Sequence, residues 1–252
     1  MAWRFPGGKT RKVRRAGGAG VIIKDLFQFR YVWEYFPLIL SRLHITLLIV
    51  VFATILGFIL AIGLALSRLY KIPVLAQFST VYISFIRGTP VIVQMYLVYY
   101  GLPAVLSTIG IDLSEWDAMY FIIATYALNA AAFLSEIIRA SITAIPAGQT
   151  EAAVSVGMTR LQTFRQIVAP QALVIALPSL ATSMVGLLQD TSIAYLIGTL
   201  DIMGKITTLG ANTYHYLEGY FVAAVIFIAF SIAIEKASNG LGKKFSFGRA
   251  CV

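Results

Sequence analysis

Three groups of residues in this chain could do chemistry. Near the N-terminus, Gly7-Gly8-Lys9-Thr10 has the ending of a phosphate-binding loop. The full motif needs a glycine five positions before Gly8, where Trp3 stands, and no strand precedes it. Any ATP chemistry therefore belongs to a partner. A second group is ionisable and sits in apolar stretches: Arg87, Glu136, Arg139 and Asp190. Such groups are costly in a bilayer and are functional candidates by default. Counting helical rise puts Arg87 and Asp190 at similar depth, which permits an ion pair between them. The alternative is that each anchors at the interface. Glu136 and Arg139 stand three apart, as a helix-surface pair or as a gate contact. The third group is Asn129, Ser183 and Gln189. Amides and hydroxyls can pair with both the carboxylate and the ammonium of a zwitterion, or can simply bond helix to helix. Arg87, Asn129, Ser183, Gln189 and Asp190 are thus the candidate substrate-binding residues. His44 and His215 are lone histidines, and Cys251 is the single cysteine. They suggest no metal site and no disulfide framework.

A fourth feature is mechanical. Glu151-Ala152-Ala153 is followed by Gly157 and then by Ile167-Val168-Ala169-Pro170. Glu151 to Val156 is a short helix former whose alanines can lie flat on a partner. Gly157 permits a turn that other residues resist. A helix resumes at Leu161 with Arg160 and Arg165 exposed. Pro170 can open the next helix, where its missing N–H is tolerated. Two short helices joined at a glycine make a compact knob, and the other reading is an ordinary amphipathic loop helix.

The elements that carry these groups must lie in lipid. Of the 252 residues 59% are hydrophobic and 12% charged, about half the charge of a soluble domain. A span needs about 20 mostly apolar residues. Leu43 to Leu66 is one, with Gly57, Ala61 and Ala65 repeating on one face for close helix contact. Pro73 to Tyr100 contains Arg87-Gly88-Thr89-Pro90. It is either one long tilted helix or an interfacial piece with a span beginning near Gly88. The first is preferred, because 73–86 alone is too short to cross. Ala118 to Ile138 and Gln171 to Gln189 are the third and fourth spans. Gly219 to Ile234 is the fifth, while 198–217 is too polar to cross.

Charge sets orientation. Arg68, Lys71, Arg139, Arg160, Arg165, Lys236, Lys243, Lys244 and Arg249 share one side, the cytoplasm. Asp112, Glu115, Asp117, Asp201 and Glu218 face the other side, with Lys205 alone against them. The first 20 residues hold six basic side chains and no acid. Five spans put that tail outside, against the rule. Such a patch can suit nucleic acid or anionic lipid, and nucleic acid does not fit a bilayer-like chain. The expected organisation is a disordered basic tail (1–20), an interfacial segment (21–37) and a membrane domain (38–240). The membrane domain contains the knob at 143–170, and 241–252 forms a cytoplasmic tail.

The knob resembles the signature of importer permeases of the ATP-binding-cassette class: Glu-Ala-Ala, three residues, Gly, nine residues, Ile-x-Leu-Pro. Only Ala169 departs, standing where leucine is expected. Further stretches are similar to the polar amino-acid uptake branch: Arg87-Gly88-Thr89-Pro90 with Val93-Gln94, Tyr100 to Pro103, Glu136 to Arg139, Gly148-Gln149, Pro170 to Leu173 with Ala176-Leu177-Pro178, and Asp190-Thr191-Ser192 with Ile197-Gly198. Lysine often precedes that last run; here it is Gln189. The resemblance covers roughly residues 40 to 240. It implies an all-α, five-span, type I importer bundle with a cytoplasmic coupling helix in a bacterial-type plasma membrane. Glu151, Ala152, Ala153, Gly157 and Arg160 would contact an ATPase that binds ATP and Mg. Other implied partners are a second permease copy or paralogue, an extracytoplasmic binding protein and an amino acid, cystine among the options. No catalysis, cofactor or metal is expected on this chain. The rival reading is an ion-coupled secondary transporter of small polar solutes, although no internal repeat supports it.

Overall fold

The computed structural model describes residues 27–246, so the basic tail, the glycine-lysine run and Cys251 lie outside the described residues. Helix α1 is Phe29–Leu40 and α2 is Leu43–Leu69. Helix α3 is Leu75–Gly88 and α4 is Val91–Ser107, two pieces bent by 111° at the break between them. Helix α5 is Ala118–Thr143, α6 is Ala147–Ser155 and α7 is Arg160–Ile197. Helix α8 is Ile202–Thr213 and α9 is Tyr216–Ser246. Four helices (α2, α5, α7 and α9) are long and apolar enough to cross a membrane, and the α3–α4 pair brings the spans to five. Helices α1 and α8 have 12 residues each, about 18 Å of rise, which falls short of the bilayer core.

The preferred sequence reading of Pro73 to Tyr100 as one continuous helix is wrong. Pro90 has no N–H and forces Thr89 out of the helical region, to φ −119° and ψ 142°. The carbonyls this frees at the end of α3 are recovered by Gln94. Its Nε2 donates to the Ile86 carbonyl at 2.7 Å and to the Thr89 carbonyl at 3.0 Å.

Two other prolines leave a gentler mark. In Leu102-Pro103 and Ala169-Pro170 the residue before the proline donates five residues back, to Leu97 and Phe164. Each junction is a single π turn (Leu97–Gly101 and Phe164–Val168). The proline's absent donor is absorbed by widening the helix instead of breaking it. The second short helix of the knob is therefore no separate element, because α7 runs through its π turn into the span.

Helices α2 and α5 pack most closely. Gly57, Ala61 and Ala65 are all buried. A Cβ on Gly57 would stand 2.8 Å from the Ala130 Cβ and 2.9 Å from the Ala127 carbonyl oxygen. Around this seam Ile49 and Val50 of α2 meet Met95 of α4, Ile122 and Tyr126 of α5, and Leu187 and Leu188 of α7. A second cluster joins Tyr35 and Ile39 of α1 to Ile202 and Ile206 of α8 and to Val222 and Ile226 of α9. Large side chains such as Phe52, Ile59, Val81 and Ile228 stay exposed on the outside. In water that would be a liability, and against acyl chains it is the expected surface.

Candidate functional site

The mid-bundle candidates come from two helices. Asn129 is three turns into α5, and Ser183 and Asp190 lie on α7, which crosses it. Together with Phe133 and Gly186 they line a cleft of about 220 Å³. The Asn129 amide is committed inward: its Nδ2 donates to Gln94 Oε1 at 2.9 Å, and the residue is only 8% exposed. This is the helix-to-helix alternative foreseen for it. Asp190 is anchored through its backbone, whose carbonyl accepts from the Tyr126 hydroxyl at 2.5 Å. Among the described residues its carboxylate makes no ion pair, which leaves it available to the cleft. Gln189 points elsewhere and is exposed outside this cleft.

Arg87 does not pair with Asp190. The depth count assumed a continuous second helix, and the break at Pro90 ends α3 just past Arg87. The guanidinium carbon instead lies 5.6 Å from the centre of the Phe133 ring, within cation–π range. Arg87 lines a separate polar cavity of about 450 Å³ with Arg68, Thr80, Ser84 and Glu136. Phe133 thus stands between a cationic compartment and an anionic one. Sequence reasoning missed that role, because a phenylalanine in an apolar helix carries no signal of its own.

Glu136 does pair with Arg139, at 2.9 Å. Its other oxygen is held by Arg68 of α2, so the pair is an interhelical triad. Arg68 ends the first span and Glu136 lies 68 residues on, so only the α2–α5 packing could reveal that contact. With both carboxylate oxygens engaged, Arg87 is left as the cation in this cavity without an ion pair among the described residues.

On the opposite side of the bundle, Glu218 is fully buried. It accepts from the Gln28 backbone N–H at 2.8 Å and lies 2.9 Å from His215 Nδ1. The His215 ring stacks on Tyr31 with centroids 3.9 Å apart. Among the described residues no cluster of three or more acids, histidines or cysteines could hold a metal.

The first half of the knob is a short helix closing at Gly157, and its second half is the start of α7. Helix α6 ends in a Schellman closure: Met158 N–H donates to the Ala153 carbonyl at 3.1 Å and Gly157 N–H to the Val154 carbonyl at 2.9 Å. Gly157 adopts φ +86°, which an L side chain resists. Thr159 and Gln162 form a reciprocal capping box that starts α7. Ala153 is buried and anchors the knob. Glu151, Ala152 and Arg160 are exposed, beside Val156 at 79% and Leu161 at 65%.

Known proteins are similar to this chain over most of its length. The profile of the family described as "Binding-protein-dependent transport system inner membrane component" matches residues 53–235. The chain is 43% identical over 213 residues to the L-cystine transport system permease protein TcyL of Bacillus subtilis, covering 84% of this chain and 89% of that protein. It is 35% identical to the octopine transport system permease protein OccM of Rhizobium radiobacter, covering 83% and 86%. Among solved structures, an amino acid ABC transporter with histidines superposes with a TM-score of 0.76 at 31% identity, covering 86% of this chain and 99% of that one. The MetNI methionine ABC transporter gives 0.61 at 18% identity, which speaks to the fold alone.

Proposed function

The chain belongs to the family of binding-protein-dependent transport system inner membrane components, and from that premise we propose that it forms the translocation pathway of an ATP-driven amino-acid importer. It is a multi-pass subunit of the bacterial plasma membrane. Two such subunits, copies or paralogues, would enclose the pathway. Two ATPase subunits would bind ATP and Mg and grip the knobs, and an extracytoplasmic binding protein would deliver the solute.

The observation that carries this reading is the knob itself. A short exposed helix closed at Gly157, on the basic side of the bundle, supports docking by a cytoplasmic engine. Glu151, Ala152, Ala153, Gly157 and Arg160 are the knob's proposed contact and shape residues. Closure of the ATPases would drive the two knobs together, and the capped start of α7 would carry that motion directly into a membrane helix.

For the solute, the Asp190 carboxylate and Ser183 hydroxyl suit an ammonium group, and Asn129 borders the same cleft. Arg87, beyond Phe133, suits a carboxylate. Gln189 contributes only if the pathway rearranges to face it. Because a relative at 43% identity is named for L-cystine transport, cystine is the first solute to assay.

The test is reconstitution. The permease, its co-purifying ATPase and the binding protein in proteoliposomes should take up radiolabelled cystine or another polar amino acid only with ATP inside. Uptake by the permease alone, driven by a proton or sodium gradient, would instead establish the secondary-transporter reading.

A further inference from the structure

The departure of Ala169 from the leucine of the importer signature leaves a space. Ala169 lines an apolar groove of about 290 Å³ between α2, α5 and α7. Its walls include Phe58 and Ile62 of α2, Ile138 of α5, and Phe164 and Leu173 of α7. A leucine at 169 would project three more carbons into this volume. The same position closes the π turn, since Ala169 N–H donates to Phe164, and the groove therefore borders the joint between the knob and the span.

The groove cannot stay filled with water. Ser141 is the single polar side chain among its lining residues, and an ordered water needs two to four polar partners. An apolar cavity of roughly half this volume takes up benzene and stays dry. The groove lies where the membrane supplies hydrocarbon. Leu66 is in the last turns of α2, Ile142 is at the end of α5, and Phe164 is at the start of α7. Those three ends share the basic, cytoplasmic side. Phe58, Ile62 and Leu173 are 38%, 39% and 41% exposed, so the groove is open laterally. The charged residue next to its lining in sequence is basic. Arg165 adjoins Phe164 and is exposed. Glu136, the acid near this end of α5, is already held by Arg68 and Arg139.

We propose that this groove is a binding site for one acyl chain of an anionic phospholipid of the cytoplasmic leaflet, with Arg165 facing the headgroup. A chain seated there supports the π turn from the membrane side. It stands in for the leucine side chain and makes the stiffness of the joint depend on the surrounding lipid. A basic residue near the surface attracts anionic lipid weakly, enough to select headgroups without immobilising them.

The test uses the complete transporter in nanodiscs containing phosphatidylglycerol or phosphatidylcholine with a diazirine in the acyl chain. Phosphatidylglycerol should label peptides carrying Phe58, Ile62 and Leu173 in the unaltered protein. Ala169→Leu should lose that labelling while labelling at Phe52, on the outer face of α2, persists. Ile62→Trp narrows the groove from the opposite wall and should do the same if Ala169→Leu does not assemble. Arg165→Gln should remove the preference for phosphatidylglycerol over phosphatidylcholine and keep acyl labelling. Unchanged groove labelling in both filling variants would overturn the proposal. So would crosslinks from the groove to a protein partner in place of lipid.

Discussion

Asn129 Nδ2 donates to Gln94 Oε1 across 2.9 Å, and this bond ties α5 to the second half of the broken span, as the Tyr82 hydroxyl bonded to the Leu128 carbonyl ties it to the first. Gln94 is the hub. Its Nε2 also holds the Ile86 and Thr89 carbonyls that Pro90 leaves without a helical donor. Gln94→Ala should therefore destabilise more than Asn129→Ala. The Asn129–Gln94 coupling should be near the membrane average of about 0.6 kcal/mol, with about 1.7 as an upper bound. A double-variant cycle on unfolding midpoints in detergent measures it. Strict additivity would show that the two amides do not interact.

The seam between α2 and α5 tolerates no added carbon. A Cβ at Gly57 would press on the Ala130 Cβ and on the Ala127 carbonyl oxygen, and backbone cannot swing aside as a long side chain can. Gly57→Ala should cost about 1–3 kcal/mol as overpacking, and Gly57→Val more. Adding Ala130→Gly should recover only part of the loss, since the Ala127 carbonyl remains. Thermal unfolding of the purified permease reads both effects, and a neutral Gly57→Ala would show that the helices can move apart.

That seam was legible in the sequence, because small residues every fourth position on an apolar helix say which face must touch another backbone. The turn of the knob was legible for the same kind of reason: Gly157 at a helix end is a local signal with a local cause, whereas the Thr159–Gln162 capping box emerges only in the structure. The second span was not. Arg87-Gly88-Thr89-Pro90 fits a kinked helix as well as a broken one, and the 111° bend is settled by Gln94 reaching back to the freed carbonyls. The substrate candidates were half legible. Asn129, Ser183 and Asp190 converge on one cleft, but the Arg87–Asp190 pair failed because the depth count ran along a helix that breaks at Pro90. Arg68 and Phe133 take their roles from packing across distant segments, which periodicity does not encode.

Asp201 gives a pH-dependent prediction. It lies between the spans, fully buried, and caps α8 by accepting from Gly204 N–H at 2.9 Å. Its second oxygen has no partner among the described residues. Burial pushes its carboxyl from the ordinary 3.8 up to about 6, against the pull of the Gly204 N–H. The protonated form is the one folding favours. The stabilising contribution is therefore full below about pH 3.8 and is lost as pH rises through about 6. Asp201→Asn keeps the cap acceptor and removes the charge. It should equal or exceed the parent in unfolding midpoint at pH 7.5, and the difference between the two should shrink as pH is lowered from 7 to 4. A variant less stable than the parent at pH 7.5 would mean that the ionised carboxylate is stabilised by something outside the described residues.

Gly157 separates the shape of the knob from its surface. No atom lies within 4 Å of where its Cβ would be, so a substitution there meets no steric obstacle. What opposes it is backbone, at φ +86°, where an L side chain costs about 1–2 kcal/mol. Asparagine tolerates that region best among side-chain-bearing residues, and β-branched valine tolerates it worst. Loss of coupling should therefore rank Gly157→Asn, then Gly157→Ala, then Gly157→Val. Because Gly157 is exposed and far from the α2–α5 seam, all three permeases should reach the membrane at normal levels. In proteoliposomes the ATPase should keep its basal rate, while stimulation by the loaded binding protein and solute uptake fall together in that order. If the order followed side-chain volume alone, with asparagine worse than alanine, the docked partner would be the constraint and the left-handed turn would not. If all three matched the parent, the knob would transmit force without needing its Schellman closure, and the capping box at Thr159 would be the next joint to test.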